Sequence, residues 1–138
     1  MERTLTIIKP DAVRGRNAGK IVARLEREGF RILAMKWLHL TPAEAEGFYH
    51  VHRARPFFSS LVKFMTEGPV LVMALEKENA IADLRIVMGA TDPAKADPGT
   101  IRREFAENIE RNAVHGSDSP QSAEYEIGYF FSKMDLVS

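Results

Sequence analysis

The sequence predicts an α+β fold, one sheet covered by helices, and three observations predict it. Short apolar runs that suit strands alternate with segments whose apolar residues recur every three to four positions. Their order reads as two βαβ units. Between the units lies a pair of helical segments broken near Arg53-Ala54-Arg55-Pro56, because a helix rarely continues through the residue before proline. Together these describe a ferredoxin-like βαββαβ antiparallel sheet with helices on one face and an inserted helical hairpin.

Each element has its own warrant. Thr4 to Lys9 set Leu5 and Ile7 against Thr4, Thr6 and Ile8, a strand stopped at Lys9-Pro10-Asp11. After Gly19, Ile21, Val22, Leu25 and Phe30 recur at helical spacing, and Gly29 suits the C-terminal stop. Arg31 to Leu40 reads as a second strand. Thr41-Pro42 pairs a good N-cap with a residue suited to the first helical position, opening helical spacing over Ala43 to Val51 and again over Pro56 to Met65. Val70 to Leu75 is an unbroken apolar run that suits a central strand buried on both faces. Asn79 to Met88 and Thr100 to Glu110 read as helices, separated by a loop from Gly89 to Gly99 whose length points to function. Ser119-Pro120 is a second cap pair, and the aromatic run Ile127 to Phe131 reads as the last strand.

Composition narrows the classes. A chain of 138 residues with 45% hydrophobic content suits one domain spanning residues 1–138. With 19 basic and 19 acidic residues there is no broad field to draw the molecule onto nucleic acid or an anionic membrane, so any anion must be held locally. The lack of cysteine removes disulfides and thiolate chemistry and fits a reducing compartment, the cytoplasm. No apolar run approaches the roughly 20 residues of a spanning helix.

Several motifs compete for the chemistry. Gly15-Arg16-Asn17-Ala18-Gly19-Lys20 has three residues between its glycines where a P-loop has four, and no Ser or Thr follows its lysine, so it reads as a turn and helix start. His50 and His52, two apart on a helix, point to different faces and read as surface histidines. His39 reads as a packed or hydrogen-bonded side chain. Asn112-Ala113-Val114-His115-Gly116-Ser117-Asp118 differs, because it sets an imidazole beside a glycine and side-chain oxygens just before a helix start. One ring nitrogen of a neutral imidazole can attack phosphorus if something orients the other, and Ser117 or a carboxylate such as Glu126 could do so.

That segment resembles the signature of nucleoside diphosphate kinases. Five further blocks match in register: Ile8-Lys9-Pro10-Asp11, Arg55-Pro56-Phe57-Phe58, Gly68-Pro69-Val70, Gly89-Ala90-Thr91-Asp92-Pro93 and Gly99-Thr100-Ile101-Arg102. The resemblance implies ping-pong transfer of a γ-phosphoryl group through His115, with Glu126 orienting the ring and Ser117 bracing Glu126. It implies that Arg85, Thr91 and Arg102 surround the phosphates, that Tyr49 donates its hydroxyl, and that Lys9 and Asn112 reach the transferred phosphate and the ribose. The base would lie between Phe57 and Ile109 with Leu61 beside it, stacked without its edge being read. Mg²⁺ would bind mainly through the nucleotide phosphates, with Asp118 holding one of its waters. The implied partners are nucleoside di- and triphosphates and further copies of the chain, as a tetramer or dimer, with a hexamer as the alternative. The rival class is a ferredoxin-like nucleic-acid-binding module; zero net charge and the lack of an RNP-type run count against it.

Overall fold

The computed structural model describes residues 1–137. Four strands, β1 (Glu2–Ile8), β2 (Arg31–Leu38), β3 (Val70–Lys77) and β4 (Val114–Gly116), form one sheet in the order β2-β3-β1-β4. Every neighbouring pair is antiparallel. The ferredoxin-like α+β expectation therefore holds.

Helices lie on both faces, which corrects the expectation of one. Leu5 and Ile7 of β1 pack with α3 (Pro42–Phe48), α4 (Phe58–Met65) and α7 (Pro120–Phe130). Ile8, Leu71, Met73 and Leu75 pack with α1 (Pro10–Arg14), α2 (Ala18–Arg27), α5 (Ala80–Met88) and α6 (Ile101–Phe105). The central strands β1 and β3 are thus covered above and below, so the stacking platform of an RNA-binding sheet is not open. Among the described residues no helix is long and apolar enough to cross a membrane.

The two faces differ from expectation because the last strand lies elsewhere. Ile127 to Phe131 is not a strand, since α7 runs through it to Phe130. Ser119 Oγ accepts from Ser122 N, Pro120 occupies the first turn, and Ala123, Ile127 and Phe130 then fall on one buried helical stripe. Burying Ile127 and Phe130 contributes about 1.5–3 kcal/mol each, which outweighs an aromatic strand preference whose whole scale spans about 1 kcal/mol. The fourth strand is instead the three residues around His115, too short to show an alternating pattern. A second correction concerns Thr100 to Glu110: α6 stops at Phe105, and Asn108 Oδ1 accepts from Glu110 N and Arg111 N in a turn that carries the chain to Asn112. The break in the helical hairpin falls where proline predicts it, and Gly19 is absorbed in α2 because burying Ile21 and Leu25 exceeds the roughly 1 kcal/mol glycine penalty.

The loop after α5 depends on one glycine. Gly89 has φ +87°, and a Cβ there would stand 2.5 Å from Thr100 Oγ1 and 2.7 Å from Thr100 Cβ. Its carbonyl accepts from Arg102 Nη1 at 3.1 Å, so the same residue orients an arginine. Gly89→Ala is expected to destabilise the protein by about 2 kcal/mol, measured as a lower urea midpoint with an unchanged slope; an unshifted midpoint would show that the contact relaxes freely.

Candidate active site

β1 and β4 supply the floor of the site. Ile7 pairs with His115, and Thr6 Oγ1 donates to the His115 carbonyl at 2.7 Å. The chain turns sharply just before the strand: Val114 N donates to Asn112 O at 2.9 Å, and Ala113 between them has φ 73°. This is a γ-turn in the strained sense, which for a non-glycine residue costs roughly 1–3 kcal/mol and persists only where its surroundings hold it.

His115 Nε2 lies 2.7 Å from Glu126 Oε1, and Ser117 Oγ donates to the same oxygen at 2.8 Å. Ser117, fully buried, accepts in turn from Leu5 N at 3.2 Å. A carboxylate only accepts, so Nε2 carries the hydrogen and the ring's lone pair lies on Nδ1, which has no hydrogen-bond partner among the described residues. The Phe48 ring meets the imidazole edge-on with centroids 5.3 Å apart, and Tyr49 does so at 6.1 Å. The ring is therefore held by packing as well as by its carboxylate.

Around His115 opens a cleft of about 300 Å³. Lys9, Arg85 and Arg102 bring three cations to it, with Thr91 and the Tyr49 hydroxyl. Lys9 is buried, donates to Asn112 Oδ1 at 2.8 Å, and has its pKa lowered to about 8 by burial and then by Arg102, against the opposing charges of Asp11 and Glu110. Arg102 donates to Val114 O at 2.9 Å, and its pKa falls to about 10 through burial and then Arg85. Burial, with Glu126 second, pushes the Tyr49 hydroxyl up, so it stays a donor. The buried Tyr49 Oη and Arg102 Nε have no partner among the described residues. Unpaired buried donors and crowded cations cost free energy, and an anion bound among them would offset both.

The cleft is also lined by Phe57, Leu61, Asp118 and Glu126. Asn112 reaches it through Lys9, and Ser117 lies beneath Glu126. Neither of these two lines the cleft itself, nor does Ile109, which is exposed in a separate depression with Asp92 and Arg103. His52 corrects the surface reading, because its ring joins the cleft wall 5.5 Å from Phe57 and 6.4 Å from Tyr49. Its spacing of three from Tyr49, which puts both on one side of a helical turn, was the available signal. Phe48, Val51, Gly116 and Ser122 are further lining residues with no such signal, although a Cβ on Gly116 would meet Met88 Sδ at 2.6 Å. His39 is exposed and hydrogen-bonds Thr66 O at 2.8 Å, so it is the hydrogen-bonded and not the packed side chain of the two expected. Gly15 to Lys20 forms the turn and start of α2, outside the cleft.

Comparison with known proteins gives the family. The family model described as nucleoside diphosphate kinase matches residues 2–136. The chain belongs to the nucleoside diphosphate kinase family. It is 60% identical over 137 residues to the nucleoside diphosphate kinase of Trichlorobacter lovleyi, covering 99% of each chain. It is 62% identical over 130 residues to that of Anaeromyxobacter, covering 94% of this chain and 89% of the relative. Among solved structures, the Aquifex aeolicus nucleoside diphosphate kinase superposes with TM-score 0.97 at 48% identity, covering 99% of both chains. The Halobacterium salinarum nucleoside diphosphate kinase, solved in complex with CDP, superposes with TM-score 0.95 at 40% identity, covering 99% of this chain and 91% of that one. As a member of this family the chain is a phosphotransferase.

Lys9, buried in the cleft with its pKa lowered to about 8, leads us to expect an alkaline limit on activity. Its charge is present below a pH of about 8 and is lost as pH rises through that value, so kcat/KM for a triphosphate, which reports the free enzyme, is expected to fall above a pH of about 8. Lys9→Met should give a low kcat/KM without that limb; a limb that persists in the variant would assign it to another group.

Proposed function

We propose that the chain, as one domain, moves the terminal phosphoryl group of a nucleoside triphosphate such as ATP onto a nucleoside diphosphate in two displacements through His115. The observation that carries this is the bond from His115 Nε2 to Glu126 Oε1 at 2.7 Å, which leaves Nδ1 as the nucleophilic nitrogen beside three cations. Nδ1 attacks the terminal phosphorus, the bond from that phosphorus to the bridging oxygen breaks, and the diphosphate leaves with the electron pair. Glu126 stabilises the positive charge that develops on the ring. In the second displacement a terminal oxygen of the incoming diphosphate attacks phosphorus, the N–P bond breaks, and the neutral imidazole returns.

Phosphoryl transfer asks for positioning and charge stabilisation. Arg85, Arg102 and Lys9 supply charge, Thr91 and Tyr49 supply hydroxyl donors, and Asn112, whose Oδ1 accepts from Lys9, is the group this reading gives to the sugar. Phe57, 46% exposed, offers a ring face for the base with Leu61 beside it. Ile109 lies outside the cleft, and in this reading it meets the base only where the base projects past Phe57; its loop is tied to α4 by Ser60 Oγ donating to Glu110 Oε2 at 2.6 Å. Stacking of this kind reads no base edge, which supports broad base tolerance.

For metal, Glu126 is spent on His115 and Ser117, leaving Asp118 as the free carboxylate of the cleft, and no group of three His, Cys, Asp or Glu gathers among the described residues. That donor set fits Mg²⁺ carried by the phosphates with Asp118 holding one of its waters. Bound in this way, the ion neutralises phosphate charge. Self-association as a dimer or tetramer belongs to the same reading, supported by the edge strand β2, which leaves Met35 and Trp37 exposed.

Incubation with a triphosphate labelled in its terminal phosphate should leave an acid-labile label on His115, and His115→Ala should lower transfer to a second diphosphate by at least roughly 10³-fold while the protein folds. Wild-type protein that never acquires the label would overturn the reading. Glu126→Ala is expected to slow transfer by roughly 10–100-fold; a loss as large as that of His115→Ala would contradict an orienting role. Purine and pyrimidine diphosphates should turn over at similar rates, and a strong preference for one base would remove stacking as the basis of recognition.

A further inference from the structure

Two segments separated by about a hundred residues are locked together beside the nucleophile. Lys9 N donates to Ala113 O at 2.8 Å, Lys9 Nζ donates to Asn112 Oδ1 at 2.8 Å, and Ala113 N donates to Asp11 Oδ2 at 3.0 Å across a separation of 102 positions. All three bonds converge on the strained turn at Ala113, one step from Asn112 and two from His115. Asp11 stands at the start of α1, immediately beyond β1, and its carboxylate takes the one backbone donor of the turn's central residue.

We propose that Asp11 is a positioning residue for the transfer: its carboxylate holds the turn that aims Asn112 and His115, and sets a negative charge two positions along the chain from Lys9. The inference rests on the function proposed above.

A purely structural role accounts poorly for this residue. Asp11 Oδ1 is buried without a hydrogen-bond partner among the described residues, and a carboxylate with one buried oxygen unpaired is a costly way to hold the Ala113 N–H. A neutral acceptor would hold the turn at lower cost. What the charge adds is its effect on Lys9, which faces Arg102 from α6 as a repelling cation, Glu110 from the preceding loop as an attracting anion, and Asp11 as the other attracting anion. Glu110 is already engaged by Ser60. Burial raises the Asp11 carboxyl, and the N–H groups of Ala113, Ala12 and Asp11 itself, with Lys9, oppose that shift. Arg111 also lies within the field of Asp11. Removing the negative charge would leave Arg102 to act on Lys9 against Glu110 alone.

Two variants separate the two roles. Asp11→Asn keeps an acceptor for Ala113 N and loses the charge; Asp11→Ala loses both. Single-turnover labelling from a terminally labelled triphosphate and kcat/KM across pH would be measured for both, beside wild type and His115→Ala, with folding followed by circular dichroism. Asp11→Asn should label within a few-fold of the wild-type rate at pH 7, while its alkaline limb begins at lower pH than the wild type's value of about 8. Asp11→Ala should label roughly 10–100-fold more slowly. An alkaline limb unmoved in Asp11→Asn overturns the inference, as does a wild-type labelling rate in Asp11→Ala; if Asp11→Ala fails to fold, the Asn limb decides alone. Wild type that labels beside Asp11 variants that match it sinks only this inference, whereas wild type that takes no label sinks the function with it.

Discussion

One carboxylate oxygen, Glu126 Oε1, receives both the ring N–H of His115 and the hydroxyl of Ser117, and the rest of the site keeps it there. The constraint matters because imidazole is ambivalent: either nitrogen can carry the hydrogen, and only the other can attack. Placing an acceptor on Nε2 resolves the ambiguity by geometry. It also explains why α7 must be a helix. Ser119 to Ser122 start it, Ile127 and Phe130 anchor it to the sheet, and Glu126 comes to the ring from that anchored helix. A strand in its place would remove the anchor that sets the carboxylate.

β1 is the shared support. Its Leu5 amide holds Ser117, its Thr6 hydroxyl holds the His115 carbonyl, and its end delivers Lys9 and then Asp11 to the turn at Ala113. Covered on both faces and paired on both edges, the strand has little freedom to shift. A small displacement there would move the His115 ring, its brace and a cation together, which suits phosphoryl transfer, a chemistry that depends on position more than on covalent invention.

The cations come at a cost to stability. Lys9 and Arg102 are buried beside each other, and desolvation lowers both pKa values. Tyr49 Oη and Arg102 Nε remain unpaired. These features make sense as a site prepared for the several negative oxygens of a polyphosphate, which would satisfy the donors and offset the repulsion. The strained backbone at Ala113 belongs to the same pattern, in which local cost collects where the site acts.

By itself the sequence determined the helical stripes of α2 to α5, the three long strands, the antiparallel α+β class and, through its motif blocks, the family and nearly all of the cleft's polar residues. Those features are written locally, in periodicity, capping pairs and short signatures. Tertiary structure decided the rest. The fourth strand is three residues long and exists because β1 offers it a partner, so no periodic pattern announces it. Ile127 to Phe131 has the composition of a strand, yet Ile127 to Phe130 end the helix α7, because packing their buried stripe against the sheet outweighs strand propensity. Ile109 lies outside the cleft because α6 ends early in a turn closed by Asn108, and Asp11 meets Ala113 only once the sheet has brought distant segments together. Local propensities differ by about 1 kcal/mol, whereas burial and long-range hydrogen bonds against a formed sheet are worth several, and these depend on neighbours that a linear reading does not contain.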